Sequence, residues 1–145
     1  MRDDLVRVLI ADDHPVGRLT VELALRHHGE TDIVGVATSG SELVHRLEFI
    51  RCDVVVTDYA MPDVRRGDGL AMLARIRRQF PDVRVVVLTA MHDPGVVGAI
   101  LDEGIDCIVS KVDGSCHVRD AVRAAHERRG YLSPLMASAV LGRYV

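Results

Sequence analysis

Five short runs rich in Val and Ile constrain this chain more than any other feature: Leu5–Ala11, Ile33–Ala37, Val54–Thr57, Val83–Thr89 and Ile105–Val109. They mostly lack the strict apolar–polar alternation of a strand with one wet face. A strand that is apolar on both sides must be covered on both sides, which is the condition of strands in a parallel sheet flanked by helices.

The intervening segments carry helix signals. Pro15 is placed as a first helical residue and Gly29 as a stop. Ser39 and Glu42 form a capping box, with Leu43, Leu47 and Ile50 following on one face. Leu70, Leu73, Ile76 and Phe80 carry a third helix that Pro81 ends. Asp93-Pro94 opens a fourth, with Val97, Ile100 and Leu101 inward and Gly104 as terminator. Val118, Ala121, Val122 and Ala125 carry a fifth, stopped by Gly130. Alternating strands and helices predict a doubly wound α/β fold. Right-handed crossovers leave few strand orders. One is the flavodoxin-like order 2-1-3-4-5, a five-stranded parallel sheet with five helices, in which ligands bind at the carboxyl ends of the strands.

With 145 residues, 48% of them apolar, the chain suits one domain and one sizeable core. There is no Trp, with three Tyr and two Phe, so that core is aliphatic. The domain is expected to occupy residues 1–129. The remainder, 130–145, begins "GYLSP" and is too short for a second domain. It reads as a linker, or from Ser133-Pro134 as the start of a sixth helix, leading to an absent C-terminal output domain.

A net charge of −3 gives no electrostatic reason for direct contact with nucleic acid or an anionic membrane. The arginine pairs at 65–66, 77–78 and 128–129 read as solvated faces. Cys52, Cys107 and Cys116 have no metal-like spacing, and Cys107 sits in an apolar run as a small core residue. The acidic N-terminus is not a signal peptide, and no run approaches the ~20 apolar residues of a membrane span. A reduced, cytoplasmic protein is expected.

The strand ends break the apolar pattern. The first runs into Asp12-Asp13 and the third into Asp58; the fourth ends at Thr89, and the fifth runs into Ser110-Lys111. In the proposed order these strands are neighbours, so three carboxylates, a hydroxyl and an ammonium gather at one mouth. Each alone has an ordinary reading: a turn residue, a helix N-terminal charge, a loop cap, a surface lysine. Their agreement across neighbouring strands favours a site. Clustered carboxylates call for a cation, and Mg²⁺ suits Asp12, Asp13 and Asp58 because it takes one or two carboxylates plus a phosphate oxygen. A carboxylate can also attack phosphorus, giving an aspartyl-phosphate. The ion and Lys111 would offset charge on the transferring group, and Thr89 could donate a hydrogen bond to it.

The ordered set "LIADDHP", "VVVTDYAMPD", "VVVLTA" and "IVSK" resembles the receiver domain of bacterial two-component response regulators, over Val6 to about Arg129. "ADDHP" and "GYLSP" resemble the NarL/FixJ group, and the "MPDVRRGDGL" loop is similar to that of Rcs capsule-type regulators. The resemblance implies that Asp58 is the phosphoacceptor. Asp12 and Asp13 would hold Mg²⁺, with the backbone carbonyl of Ala60 as a further ligand. Thr89 and Lys111 would be the switch hydroxyl and the phosphate-pairing lysine. It implies a sensor histidine kinase or histidine phosphotransfer protein as donor and a homodimer on phosphorylation. DNA would be contacted only through the missing C-terminal domain, with no membrane partner.

Three positions depart from that pattern. Arg66 stands where the loop glycine is usual, and Gly69 is its match in a loop about three residues longer. Ile108 occupies the place of the aromatic switch residue. Val112 follows Lys111 where proline is frequent, so a trans bond is expected, the cis form costing ~2.5–4 kcal/mol. Gly95 and Gly98 each cost a helix roughly 1 kcal/mol relative to Ala, which makes the fourth helix either pliable or closely packed. The seven histidines are assigned no site. The rival readings are a pseudo-receiver that binds without phosphotransfer, a Mg²⁺-dependent phosphatase and a flavodoxin-type cofactor protein. Ala60 stands where the phosphatase would need a second aspartate, and "ADDHP" would repel a cofactor phosphate in the absence of metal.

Overall fold

The computed structural model describes residues 4–27, 29–61 and 69–142. The elements run β1 (Val6–Ala11), α1 (Pro15–Arg26), β2 (Thr31–Ala37), α2 (Gly40–Phe49), β3 (Val54–Asp58), α3 (Gly69–Gln79), β4 (Arg84–Thr89), α4 (Pro94–Asp102), β5 (Cys107–Ser110), α5 (Cys116–His126), β6 (Tyr131–Leu132) and α6 (Pro134–Gly142). All strand pairs are parallel, in the order β2-β1-β3-β4-β5-β6.

Period-two geometry divides the strands between two apolar layers. Leu9, Val55, Val87 and Ile108 face one layer, with Leu43, Leu47, Leu73, Ile76, Val97 and Ile100 from α2, α3 and α4. Val8, Ile10, Val54, Val56, Leu88 and Val109 face the other, where α1 supplies Val21 and Leu25 and α5 supplies Val118, Ala121, Val122 and Ala125. Both faces of the sheet are covered, which is why the strands mostly lack strict apolar–polar alternation. Cys107 lies in the second layer.

The helix ends follow local chemistry. The Ser39 hydroxyl accepts from Glu42 N–H at 3.1 Å, and Asp93 Oδ1 accepts from Val96 N–H at 2.9 Å. These satisfy donors that a helix start leaves open. Gly29 and Gly104 take the left-handed backbone expected of helix stops, at φ 66° and 94°. The fifth helix differs: it ends at His126, and the left-handed residue is Arg128, φ 60°, not Gly130.

Where five strands and five helices were expected, the described residues form six of each. After α5 the chain turns back along the open edge of β5. Tyr131 N–H donates to Asp106 O at 2.9 Å, and Ser133 N–H to Ile108 O at 3.2 Å. Gly130 permits this turn, since a Cβ there would stand 3.3 Å from the Asp106 carbonyl. The helix that follows buries Met136 and Ala139 among the first-layer residues. Residues 130–142 are therefore packed on the sheet.

Residues 62–68, including Arg66, and His28 lie outside the described residues, so the lengthened loop does too. Gly69 does not: a Cβ at that position would stand 2.6 Å from the Tyr59 carbonyl, so the backbone here passes too close for a side chain. No cis peptide occurs among the described residues, in accord with the trans bond expected at Val112. No helix among them is long and apolar enough to cross a membrane.

Candidate functional site

The carboxyl ends of β1, β3, β4 and β5 converge, and each delivers the residue the strand pattern marked. Asp12 leaves β1 with its backbone N–H on Ala37 O at 3.0 Å, and its side chain is buried. Asp58 is the last residue of β3, a strand buried at all five positions, and is 4% exposed. Lys111 lies just beyond β5, anchored by its backbone N–H on Thr89 O at 3.0 Å.

The side chains meet. Lys111 Nζ donates to Asp58 Oδ2 at 2.9 Å and stands 3.6 Å from Asp12 Oδ2. The other Asp58 oxygen, Oδ1, accepts from Ala60 N–H at 3.3 Å. Burial raises the Asp58 pKa above the ordinary carboxylate value; the Lys111 hydrogen bond and charge oppose it, and the charge of Asp12 adds to it. Burial pulls Lys111 down, but the Asp58 hydrogen bond and the two carboxylate charges outweigh it, leaving the ammonium above its usual value.

The site has more negative charge than Lys111 balances. Asp12 Oδ2 and Asp13 Oδ1 are buried with no hydrogen-bond partner among the described residues. Orphaned buried oxygens are uncommon and require an explanation. Ligand atoms of Asp12, Asp13, His14 and Asp58 lie within 4.8 Å of one another. A set of carboxylate oxygens with two unsatisfied members fits a hard divalent cation.

Thr89 closes β4 opposite Ser110, one residue beyond the register partner of Asp58. Its hydroxyl accepts from Met91 N–H at 3.0 Å, within its own turn. Ala60 is exposed and reaches Asp58 through its N–H. Sequence reasoning missed two neighbours. His14 Nδ1 lies 3.3 Å from Asp12 Oδ1 and 3.2 Å from Asp13 Oδ1. Gly17, in the first turn of α1, leaves the space that Asp12 occupies: a Cβ there would stand 2.6 Å from Asp12 Oδ2. Beside it opens a cavity of about 200 Å³ lined by Asp12, Gly17, Val21, Leu88, Lys111 and Val118. The signals were present as a third ligand-type residue following Asp12-Asp13 and a glycine inside a helix.

The family model for the response regulator receiver domain matches residues 8–123. The transcriptional regulatory protein RcsB of Escherichia coli (strain K12) is 29% identical over 126 residues, which are 87% of this chain and 58% of that protein. The chain thus spans under two thirds of that relative. The isolated REC domain of RcsB from Salmonella enterica serovar Typhimurium, solved with the phosphomimetic BeF3-, superposes with a TM-score of 0.86 at 27% identity, covering 94% of this chain and 99% of that one. An RcsB–DNA complex gives 0.87 at 27% identity, covering 94% of this chain and 67% of that chain.

Proposed function

Because this chain belongs to the response regulator receiver domain family, we propose that it accepts a phosphoryl group on Asp58 and converts that event into a change of association. The observation that carries the reading is a nearly buried carboxylate at a strand end. It is held by Lys111 and flanked by two acids, each with one buried oxygen, Asp12 Oδ2 and Asp13 Oδ1, that has no hydrogen-bond partner among the described residues.

Asp12, Asp13 and Asp58, with the Ala60 carbonyl, would hold Mg²⁺. When bound, the ion neutralises charge on the phosphoryl oxygens. The chain's own groups do the rest. A carboxylate oxygen of Asp58 forms the new O–P bond as the P–N bond of a donor phosphohistidine breaks, the electron pair leaving with the donor's imidazole. Lys111 Nζ, already on Asp58 Oδ2, is placed to pair with a phosphoryl oxygen. The Thr89 hydroxyl accepts from Met91 N–H, so its proton remains available for another phosphoryl oxygen. The donor is a sensor histidine kinase or a histidine phosphotransfer protein, and the reaction takes place in the cytoplasm.

The output is homodimerisation that governs a DNA-binding domain joined through residues 130–145. Two faces were open in the sequence: α1 with α5, and α4 with β5 and α5. The packing favours the first. β6 pairs with β5 and α6 packs on α4 and β5, so part of the second face is covered from within. On α1, Val16, Leu19 and Leu23 stand 77%, 54% and 60% exposed at helical spacing.

The test is incubation with acetyl phosphate and Mg²⁺ followed by intact-mass measurement. A gain of one phosphoryl that disappears in Asp58→Asn is expected. An unmodified wild-type mass under conditions that label a known receiver returns the chain to the pseudo-receiver reading. Turnover of a phosphomonoester panel would point to a phosphatase.

A further inference from the structure

We propose that His14 is a direct ligand of the cation held by Asp12, Asp13 and Asp58, making a mixed nitrogen–oxygen centre that binds borderline divalent ions such as Co²⁺ more tightly than Mg²⁺. This rests on the cation site in the preceding reading and extends it to the identity of the ion.

The geometry comes from three consecutive residues. The His14 N–H donates to Asp12 Oδ1 at 2.9 Å, which fixes the backbone of the turn. Pro15 then starts the helix, leaving His14 as its extended N-cap residue, φ −94° and ψ 117°. The ring nitrogen Nδ1 is thereby brought to 3.3 Å from Asp12 Oδ1 and 3.2 Å from Asp13 Oδ1. No described hydrogen bond holds Nδ1 elsewhere, whereas His92 Nδ1 contacts Ala90 O and His117 Nδ1 the Tyr131 hydroxyl.

Two observations point to an ion between these groups. Asp12 is 1% exposed, and its Oδ2 has no hydrogen-bond partner, Lys111 Nζ standing 3.6 Å away. Asp13 Oδ1, the oxygen facing His14, is also buried without one. The site therefore offers unused oxygen donors together with an imidazole nitrogen within the same 4.8 Å group. Mg²⁺ prefers oxygen and retains its waters, so the ring adds little for it. Imidazole favours the later first-row ions, whose affinities also rise along the divalent series. The side chain of His14 is 69% exposed, so the ion enters from solvent and the ring turns onto it without disturbing the core.

The experiment titrates the whole chain with Co²⁺, followed by calorimetry and by visible absorption, and separately with Mg²⁺ by calorimetry. Wild type, His14→Ala, His14→Gln and Asp12→Asn are compared, with circular dichroism confirming each fold. We expect Co²⁺ to bind at least about tenfold more tightly than Mg²⁺, and His14→Ala to remove about tenfold of Co²⁺ affinity while changing Mg²⁺ affinity less than about twofold. The Co²⁺ absorption should lose its nitrogen-ligand character in both His14 variants. If Co²⁺ affinity and spectrum survive in His14→Ala while Asp12→Asn weakens both ions, His14 is only a neighbouring charge and the inference is overturned, with the phosphoacceptor reading intact. Mg²⁺ binding that survives Asp12→Asn would remove the cation site itself and this inference with it.

Discussion

Asp58 and Lys111 face each other across the end of the sheet, and neither has its ordinary affinity for a proton. Burial pushes Asp58 up, while the Lys111 hydrogen bond and charge pull it down. Lys111→Gln removes the lysine's charge and ammonium hydrogen bond, leaving burial and the Asp12 charge opposed only by the Ala60 N–H. In the metal-free chain the Asp58 pKa should therefore rise further, measured by carbon-13 NMR of the labelled carboxyl against pH. An unchanged or lower value would show that the two side chains do not interact in solution. The same substitution should slow labelling by acetyl phosphate most at the low-pH end, where less Asp58 is ionised.

At the scale of elements, the last strand and helix matter most. The Ser133 hydroxyl accepts from Ser110 N–H at 2.9 Å, and both residues are fully buried. Asp113 Oδ2 accepts from Leu135 N–H at 3.0 Å. This terminal segment is thus tied to the strand that leads into Lys111 and to the loop after it. Ser133→Ala strands a buried N–H, which costs ~1–3 kcal/mol. The urea midpoint should fall accordingly, with hydrogen exchange rising first at residues 131–142. A loss below a few tenths of a kcal/mol would mean that water replaces the hydroxyl. Ile108, which takes the place of an aromatic switch residue, belongs to the same apolar cluster as Met136 and Ala139, and α6 packs on β5.

Across the whole molecule, the two helical layers differ in what they leave open. The layer containing α4 gains α6, while α1 presents Val16, Leu19 and Leu23 to solvent. A single charge in that stripe should block association without disturbing the core. Leu19→Lys is expected to remain monomeric by sedimentation after phosphorylation, under conditions where wild type dimerises. A Leu19→Lys dimer of wild-type strength would place the interface elsewhere.

Much of this architecture was legible because burial on both faces leaves a direct trace in composition. Runs rich in Val and Ile, mostly without strict alternation, marked the first five strands, and polar residues at their ends marked Asp12, Asp13, Asp58, Thr89 and Lys111. Caps at Ser39 and Asp93 act within three residues, so local sequence suffices for them. β6 left no such trace, since two residues have no period and Tyr131-Leu132 becomes a strand only because β5 has a free edge. Likewise, Arg128 rather than Gly130 takes the left-handed turn because pairing along β5 dictates where the chain reverses. The pattern of residues determined the layers, the alternation and the identity of the charged groups, all properties of single segments. Only the tertiary structure decided that His14 faces two carboxylates, that Gly17 makes room for Asp12, and that the final helix packs on β5 and α4. Those are distances between segments, set by how the sheet twists and packs.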